Sequence, residues 1–246
     1  MEKHEMAIPV AEDVAEELKA YDGFTKILLS NRGIRTSVEA DRFLNPDYER
    51  DVYDPFLILN MERAVGRIIG AIDNKEKIVI YGDYDCDGIP GSVVLHDFFK
   101  KIGYENFSNY IPHRHKEGYG LNKPAIDSFA KDGVTLMITV DVAIANIEEV
   151  GHAQTLGIDV IITDHHLPSL IRNGTGELEE TLPPAYAIIN SKQAEDTYPD
   201  NMLCGAGMAW KLVQALLKRR GKEWGVPDGW EKWLLDMAGL STIADM

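Results

Sequence analysis

Hydrophobic and polar positions change rhythm near residue 60. Before it, short apolar clusters at helical spacing predict helices over 10–20, 24–30 and 38–43, broken by Asp22-Gly23, Arg32-Gly33 and Asn45-Pro46. After it, amphipathic segments alternate with compact apolar runs. Helices are predicted over 61–74, about 90–102, 122–131 and 145–156, and strands over 77–81, 106–111, 134–140 and 158–163. Val94, Phe98 and Ile102 recur at i, i+4 and i+8, one helix face. The runs 134–140 and 158–162 are almost continuously apolar, as in strands covered on both sides. Beyond Asp164 follow a polar loop at 173–177, Pro183-Pro184, a short strand over 185–189, and helices over 204–220 and 229–241. The alternation predicts an α/β, doubly wound, mainly parallel sheet with flanking helices. One elaborated domain is expected, with 1–60 as its helical lobe and 61–246 as its α/β body.

Composition narrows the classes. With 246 residues, 45% of them hydrophobic, the chain is large enough for a real core. No apolar run approaches the roughly 18 residues needed to span a bilayer, and Met1-Glu2-Lys3-His4-Glu5 lacks a signal-peptide core. The expectation is a cytoplasmic protein with no membrane partner. Cys86 and Cys204 are far apart, which excludes a disulfide framework and a zinc ribbon, and Cys86 reads as a small packed residue. The net charge of −15 would repel a polyanion unless basic groups cluster locally or metal ions neutralise the site.

Carboxylates concentrate where strands end. Asp83, Asp85 and Asp87 occupy alternate positions after the first strand, and in an extended run such positions point the same way. Asp141 ends another strand, and Asp164-His165-His166 a third. In a parallel sheet the carboxyl ends share one edge, so these groups should meet in the crevice where open α/β sheets bind ligands. Two carboxylates 4 Å apart repel by about 4 kcal/mol at an effective dielectric of 20, so a cluster needs protons or cations. Oxygen ligands joined by imidazole suit Mn2+ or Mg2+, and paired ions suit phosphoester hydrolysis. Each piece also has a plainer use: an Asp after a strand caps a helix, and His165-His166 could be a surface turn.

Weaker signals concern phosphate. The segment from Pro112 to Gly120 combines Arg114, which can fork onto a phosphate, with Tyr119, which offers a ring for base stacking; a solvated glycine turn is the other reading. Gly205-Ala206-Gly207 opens a helix whose N–H groups could receive an anion, and close helix packing explains the glycines equally well. Lys218-Arg219-Arg220 at that helix's far end complements its dipole.

Tyr81-Gly82-Asp83-Tyr84-Asp85-Cys86-Asp87-Gly88, Thr139-Val140-Asp141 and Thr163-Asp164-His165-His166 resemble the first three motifs of the DHH phosphoesterase superfamily. The flanks Leu29-Ser30-Asn31-Arg32-Gly33-Ile34, Phe43-Leu44-Asn45-Pro46, Ile111-Pro112-His113-Arg114, Glu117-Gly118-Tyr119-Gly120, Gly205-Ala206-Gly207 and Leu240-Ser241-Thr242-Ile243-Ala244-Asp245 resemble RecJ-type single-strand exonucleases. The resemblance implies hydrolysis of single-stranded DNA from the 5′ end with two Mn2+ or Mg2+ ions. It implies Asp83, Asp85, Asp87, Asp141, His165 and Asp245 as metal ligands, the last on resemblance alone. It casts His166 as the group facing the scissile phosphate, with Asp164 orienting the histidines. Replication or repair proteins are the implied partners.

The chain departs from that pattern in places. Ile89-Pro90-Gly91-Ser92 stands where the family commonly has a hydroxyl residue near the helix start, which would move a phosphate contact to Ser92. Val142-Ala143 replaces the usual Cys-Gly. A DHHA1-type second lobe is expected to be absent, leaving an open cleft with poor affinity. Two other functions share the motifs: a phosphodiesterase of short oligonucleotides or cyclic dinucleotides, and a non-catalytic replication-associated scaffold. The surviving acids rank the scaffold last.

Overall fold

The structure, a computed structural model, describes residues 9–172, 174 and 176–245. It divides into two compact units between Asp54 and Pro55. In the first, α1 (Glu12–Glu17), α2 (Gly23–Asn31), α3 (Ser37–Leu44) and the single turn α4 (Tyr48–Asp51) carry a small core of Val14, Leu18, Leu29 and Ala40. The predicted break at Asp22 is a helix cap, its carboxylate accepting from Phe24 and Thr25 N–H, and Thr36 with Glu39 forms a reciprocal capping box on α3. No side chain caps α1, which is shorter than the predicted 10–20.

The second unit opens with a 3-10 turn at Pro55–Leu57 and α5 (Met61–Asp73). It continues through β1 (Lys77–Gly82), α6 (Gly88–Lys101), β2 (Phe107–Tyr110), α7 (Lys123–Lys131), β3 (Val134–Val140), α8 (Ile147–Thr155) and β4 (Asp159–Thr163). After the hairpin β5 (Ser169–Arg172) and β6 (Leu178–Thr181), the chain re-enters the main sheet as β7 (Ala187–Ile189). It ends with α9 (Gly205–Arg220), a 3-10 turn at Trp230–Leu234 and α10 (Leu235–Ala244).

Five strands pair in parallel in the order β2-β1-β3-β4-β7, and helices cover both faces, so the predicted doubly wound fold is present. Val79, Tyr81, Met137, Val160 and Ile162 share one core with Ile126 and Phe129 of α7 and Val150 and Ala153 of α8. The alternate positions Ile78, Ile80, Leu136, Ile138 and Ile161 are buried on the opposite side, where α5, α6 and α9 pack.

Two elements differ from the sequence expectation. The hairpin brackets the predicted loop 173–177, of which Asn173 and Thr175 lie outside the described residues; its strands are short, and Leu170, Ile171 and Leu178 are exposed, so no inward-facing alternation announces it. The predicted helix 229–241 begins instead as a 3-10 turn. There the Glu231 carbonyl accepts the Trp210 indole N–H at 2.9 Å, and α-helical bonding starts only at Leu235.

At the amino-terminal edge of the sheet the acids have a full cation. Arg67 of α5 reaches Asp159 at 2.6 Å and Glu76 at 2.7 Å, and Glu76 also accepts from the Thr135 hydroxyl at 2.7 Å. On the helical face, α6 meets α9 through small residues: a Cβ on Gly91 would lie 2.5 Å from Val140 Cγ1 and 3.1 Å from Ala206 Cα. Gly91→Val should therefore cost about 1–3 kcal/mol through overpacking, read from the urea midpoint. Gly66→Ala in α5, where nothing lies within 4 Å, should stabilise by about 0.5–1 kcal/mol. Equal effects of the two substitutions would contradict the packing.

Candidate active site

The last residues of four strands stand side by side: Gly82 pairs with Val140, Val140 with Thr163, and Thr163 with Ile189. The residues that follow are Asp83, Asp141, Asp164 and Asn190, each 2% exposed or less. Their backbones prolong the ladder. Asp83 N–H donates to Val140 O at 3.2 Å, Asp141 N–H to Thr163 O at 2.8 Å, and Asp164 N–H to Ile189 O at 3.1 Å. The chain leaves β1 towards β2 on one side and β3 lies on the other, so Asp83 and Asp141 flank the switch point where such sheets open a crevice.

The run after β1 is a turn rather than an extended strand, and this changes the predicted grouping. Asp83 and Asp85 bring oxygens to Asp141, while Asp87 turns to His165 and Asp245. Asp85 Oδ1 accepts from Gly88 N–H at 3.0 Å, tying the turn to the start of α6. Asp87 Oδ2 accepts from Gly205 N–H at 2.8 Å, so the anion received at the start of α9 is a carboxylate of the chain itself. Gly205 is required there because a Cβ would lie 2.5 Å from Asp141 Cβ. Asp141 and Ala143 have φ of 62° and 99°, marking a tight turn directly after β3.

His165 is the hub of the acids. Its Nε2 lies 3.1 Å from Asp141 Oδ1, 3.2 Å from Asp87 Oδ2 and 3.6 Å from Asp245 Oδ2. Asp164 organises both histidines: its Oδ1 accepts from His165 N–H at 2.8 Å and His166 N–H at 3.1 Å and lies 2.8 Å from His166 Nδ1, while Oδ2 accepts from Ile144 N–H at 3.0 Å. Burial pushes Asp141 far up, and the adjoining charge of Asp87 adds to it. Burial also pushes Asp83 up, with Asp85 and Asp87 reinforcing. For Asp87 the effect of burial is outweighed by His165, Asp141 and the Gly205 N–H, which hold it far below the carboxylate range. Burial lowers His165, but Asp87, Asp164 and Asp245 more than reverse it, and its pKa lies above the ordinary imidazole value. The Asp164 hydrogen bond raises His166 likewise.

The donor set fits hard divalent cations. Among the described residues, Asp83 Oδ1 and both oxygens of Asp141 are buried without a hydrogen-bond partner. Among the described residues, three triplets place ligand atoms within 4.8 Å of one another: Asp83, Asp85 and Asp141; Asp87, His165 and Asp245; and Asp141, His165 and His166. Carboxylate oxygen with one or two imidazoles suits Mn2+ and Mg2+.

The phosphate candidates are placed less uniformly. Arg114 is exposed, its guanidinium 4.5 Å above the ring of Tyr84, between two of the acids. Tyr119 has its ring centroid 6.4 Å from that of His166, and desolvation together with the charges of Asp164 and Asp141 raises its phenol. Ser92 is buried, its hydroxyl donating to Gly88 O at 2.8 Å. Gly207 N–H points at Cys204 Sγ, 3.4 Å away. Tyr84 and Asn190 escaped the sequence reading. The amide of Asn190 donates to His166 O at 2.9 Å, and its place after the strand over 185–189 is the signal that marked Asp141.

The profile of the DHH family, N-terminal domain, matches residues 77–240. The single-stranded-DNA-specific exonuclease RecJ of Bacillus subtilis is 44% identical over 220 residues, which cover 89% of this chain and 25% of that protein. RecJ of Escherichia coli is 32% identical, over 89% of this chain and 36% of that protein. The chain thus spans a quarter to about a third of these curated relatives. A crystal structure of exonuclease RecJ bound to manganese superposes with a TM-score of 0.64 at 29% identity, covering 77% of this chain and 44% of that one. RecJ from Thermus thermophilus in complex with Mn2+ shares the fold, with a TM-score of 0.70 at 24% identity, over 95% of this chain and 30% of that one.

Because Asp141 and His165 hold protons more tightly than usual, a cation entering their cluster must displace them. Mn2+ binding at pH 7 should release protons, and its affinity should rise with pH; calorimetry in buffers of different ionisation enthalpy reads both. Zero release or net uptake would contradict the site. Gly205→Ala, which crowds Asp141, should weaken Mn2+ binding by about 10–100-fold with the circular dichroism spectrum retained. Unchanged affinity would show that Gly205 has no part in shaping the site.

Proposed function

The chain belongs to the DHH family, and from that membership we infer that it carries the catalytic core of a metal-dependent exonuclease acting on single-stranded DNA. The observation that carries this reading is the row Asp83, Asp141, Asp164 at adjacent strand ends, with buried carboxylate oxygens of Asp83 and Asp141 that accept no hydrogen bond among the described residues. The 44% identity to a single-stranded-DNA-specific exonuclease supports the substrate. The manganese bound to a 29% identical exonuclease RecJ supports the cofactor, two Mn2+ or Mg2+ ions.

Asp83, Asp85 and Asp141 would hold one cation, and Asp87, His165 and Asp245 the second. When bound, such ions neutralise charge on a phosphoryl group and activate water. The rest falls to the chain. Asp164 fixes the His166 Nδ1 edge and raises its pKa, which favours the protonated ring as the group that faces the scissile phosphate and gives a proton to the leaving oxygen. Arg114, held over Tyr84, forks onto a neighbouring phosphate, and Tyr119 offers its exposed ring to a base. Cleavage proceeds from the 5′ end. The working protein is cytoplasmic, among replication or repair proteins that supply single-stranded ends. Among the described residues no helix is long and apolar enough to cross a membrane.

With Mn2+ supplied, end-labelled single-stranded DNA should be degraded to mononucleotides, and faster than dinucleotides or cyclic dinucleotides. Cleavage confined to the short substrates would replace the DNA reading by a phosphodiesterase. Asp85→Ala and His165→Ala should each abolish turnover while the folded spectrum persists. Undiminished hydrolysis by either purified variant would overturn the site.

A further inference from the structure

One strand beyond His166 lies a cavity of about 360 Å³ lined by Leu167, Ser191, Lys192, Gln193, Tyr198 and Met202, among others. It is joined to the active site by hydrogen bonds. The Asn190 amide donates to His166 O at 2.9 Å, and its Oδ1 accepts from Lys192 N–H at 2.8 Å, so the segment that holds the His166 backbone also builds the cavity wall. Leu167 and Met202, both in the lining, are 76% and 78% exposed and offer apolar surface to a flat ring. Ser191 in the lining is 6% exposed, and its buried hydroxyl has no hydrogen-bond partner among the described residues.

Gln193 adds a directional group. Its amide nitrogen donates to both Ile188 O at 3.2 Å and Asn190 O at 3.0 Å, which consumes its hydrogens and leaves Oε1 as an acceptor. Every DNA base carries at least one N–H on its pairing edge, so an acceptor of this kind, in a wall shared with Asp196 and Asn201, suits all four. We propose that this cavity is a nucleobase subsite, receiving without sequence preference the base of the nucleotide whose phosphate lies against His166. The choice of ligand rests on the nuclease reading, whereas the cavity and its polar groups do not.

The chain labelled with 13C at its methionine methyls, free of cations, is titrated with thymidine, with the buried Met61, Met137 and Met208 as internal references. The Met202 methyl resonance should shift saturably while the references stay in place. Leu167→Glu, at an exposed position, should abolish that shift and raise KM for single-stranded DNA about tenfold, the scale of one lost base contact. A Met202 methyl that thymidine does not move overturns the subsite. So does a shift produced by deoxyribose 5-phosphate and not by thymidine, which would assign the cavity to phosphate. A thymidine response in a chain that hydrolyses no DNA supports the subsite and overturns only the nuclease reading.

Discussion

Parallel strands held in register force their carboxyl ends to one level, and here that level carries three aspartates and an asparagine in a row. Repulsion among such groups would unfold a loose loop. Here the acids cannot separate, because the ladder hydrogen bonds run on through Asp83, Asp141 and Asp164 themselves. Rigid backbone therefore holds the charges together, and the surroundings must neutralise them.

The neutralisation is partial. Asp87 is held by a helix amino terminus, Asp164 by three backbone N–H groups, and a pair of imidazoles stands among the rest. Among the described residues the Asp141 oxygens accept no hydrogen bond, and burial pushes its pKa far up. At the opposite edge of the same sheet, Asp159 and Glu76 share Arg67, a permanent cation. One edge is a finished ion-pair network built for stability. The other has positive charge that can be lost or exchanged, and this difference suits it to divalent cations.

Much of this was legible in the residues. Unbroken apolar runs at 134–140 and 158–162 announce two-sided burial, and an acid after each run announces the edge where they meet. The turn at Asp83 to Asp87 was not legible, because alternate spacing looks extended until the helix start at Gly88 bends it. Gly205 was readable only as small; its true constraint, the nearness of Asp141, links residues 64 positions apart in a contact no local pattern encodes. The hairpin and the 3-10 start at Trp230 escaped for a related reason, since each is set by exposure or by a distant indole donor rather than by periodicity.

Diffraction from crystals soaked in Mn2+, recorded near the manganese absorption edge, probes the shared-edge charge most directly. Anomalous peaks are expected within coordinating reach of Asp141, one toward Asp83 and Asp85 and one toward His165 and Asp245. Manganese bound only at exposed surface acids, with the strand-end row left bare, would contradict the central claim.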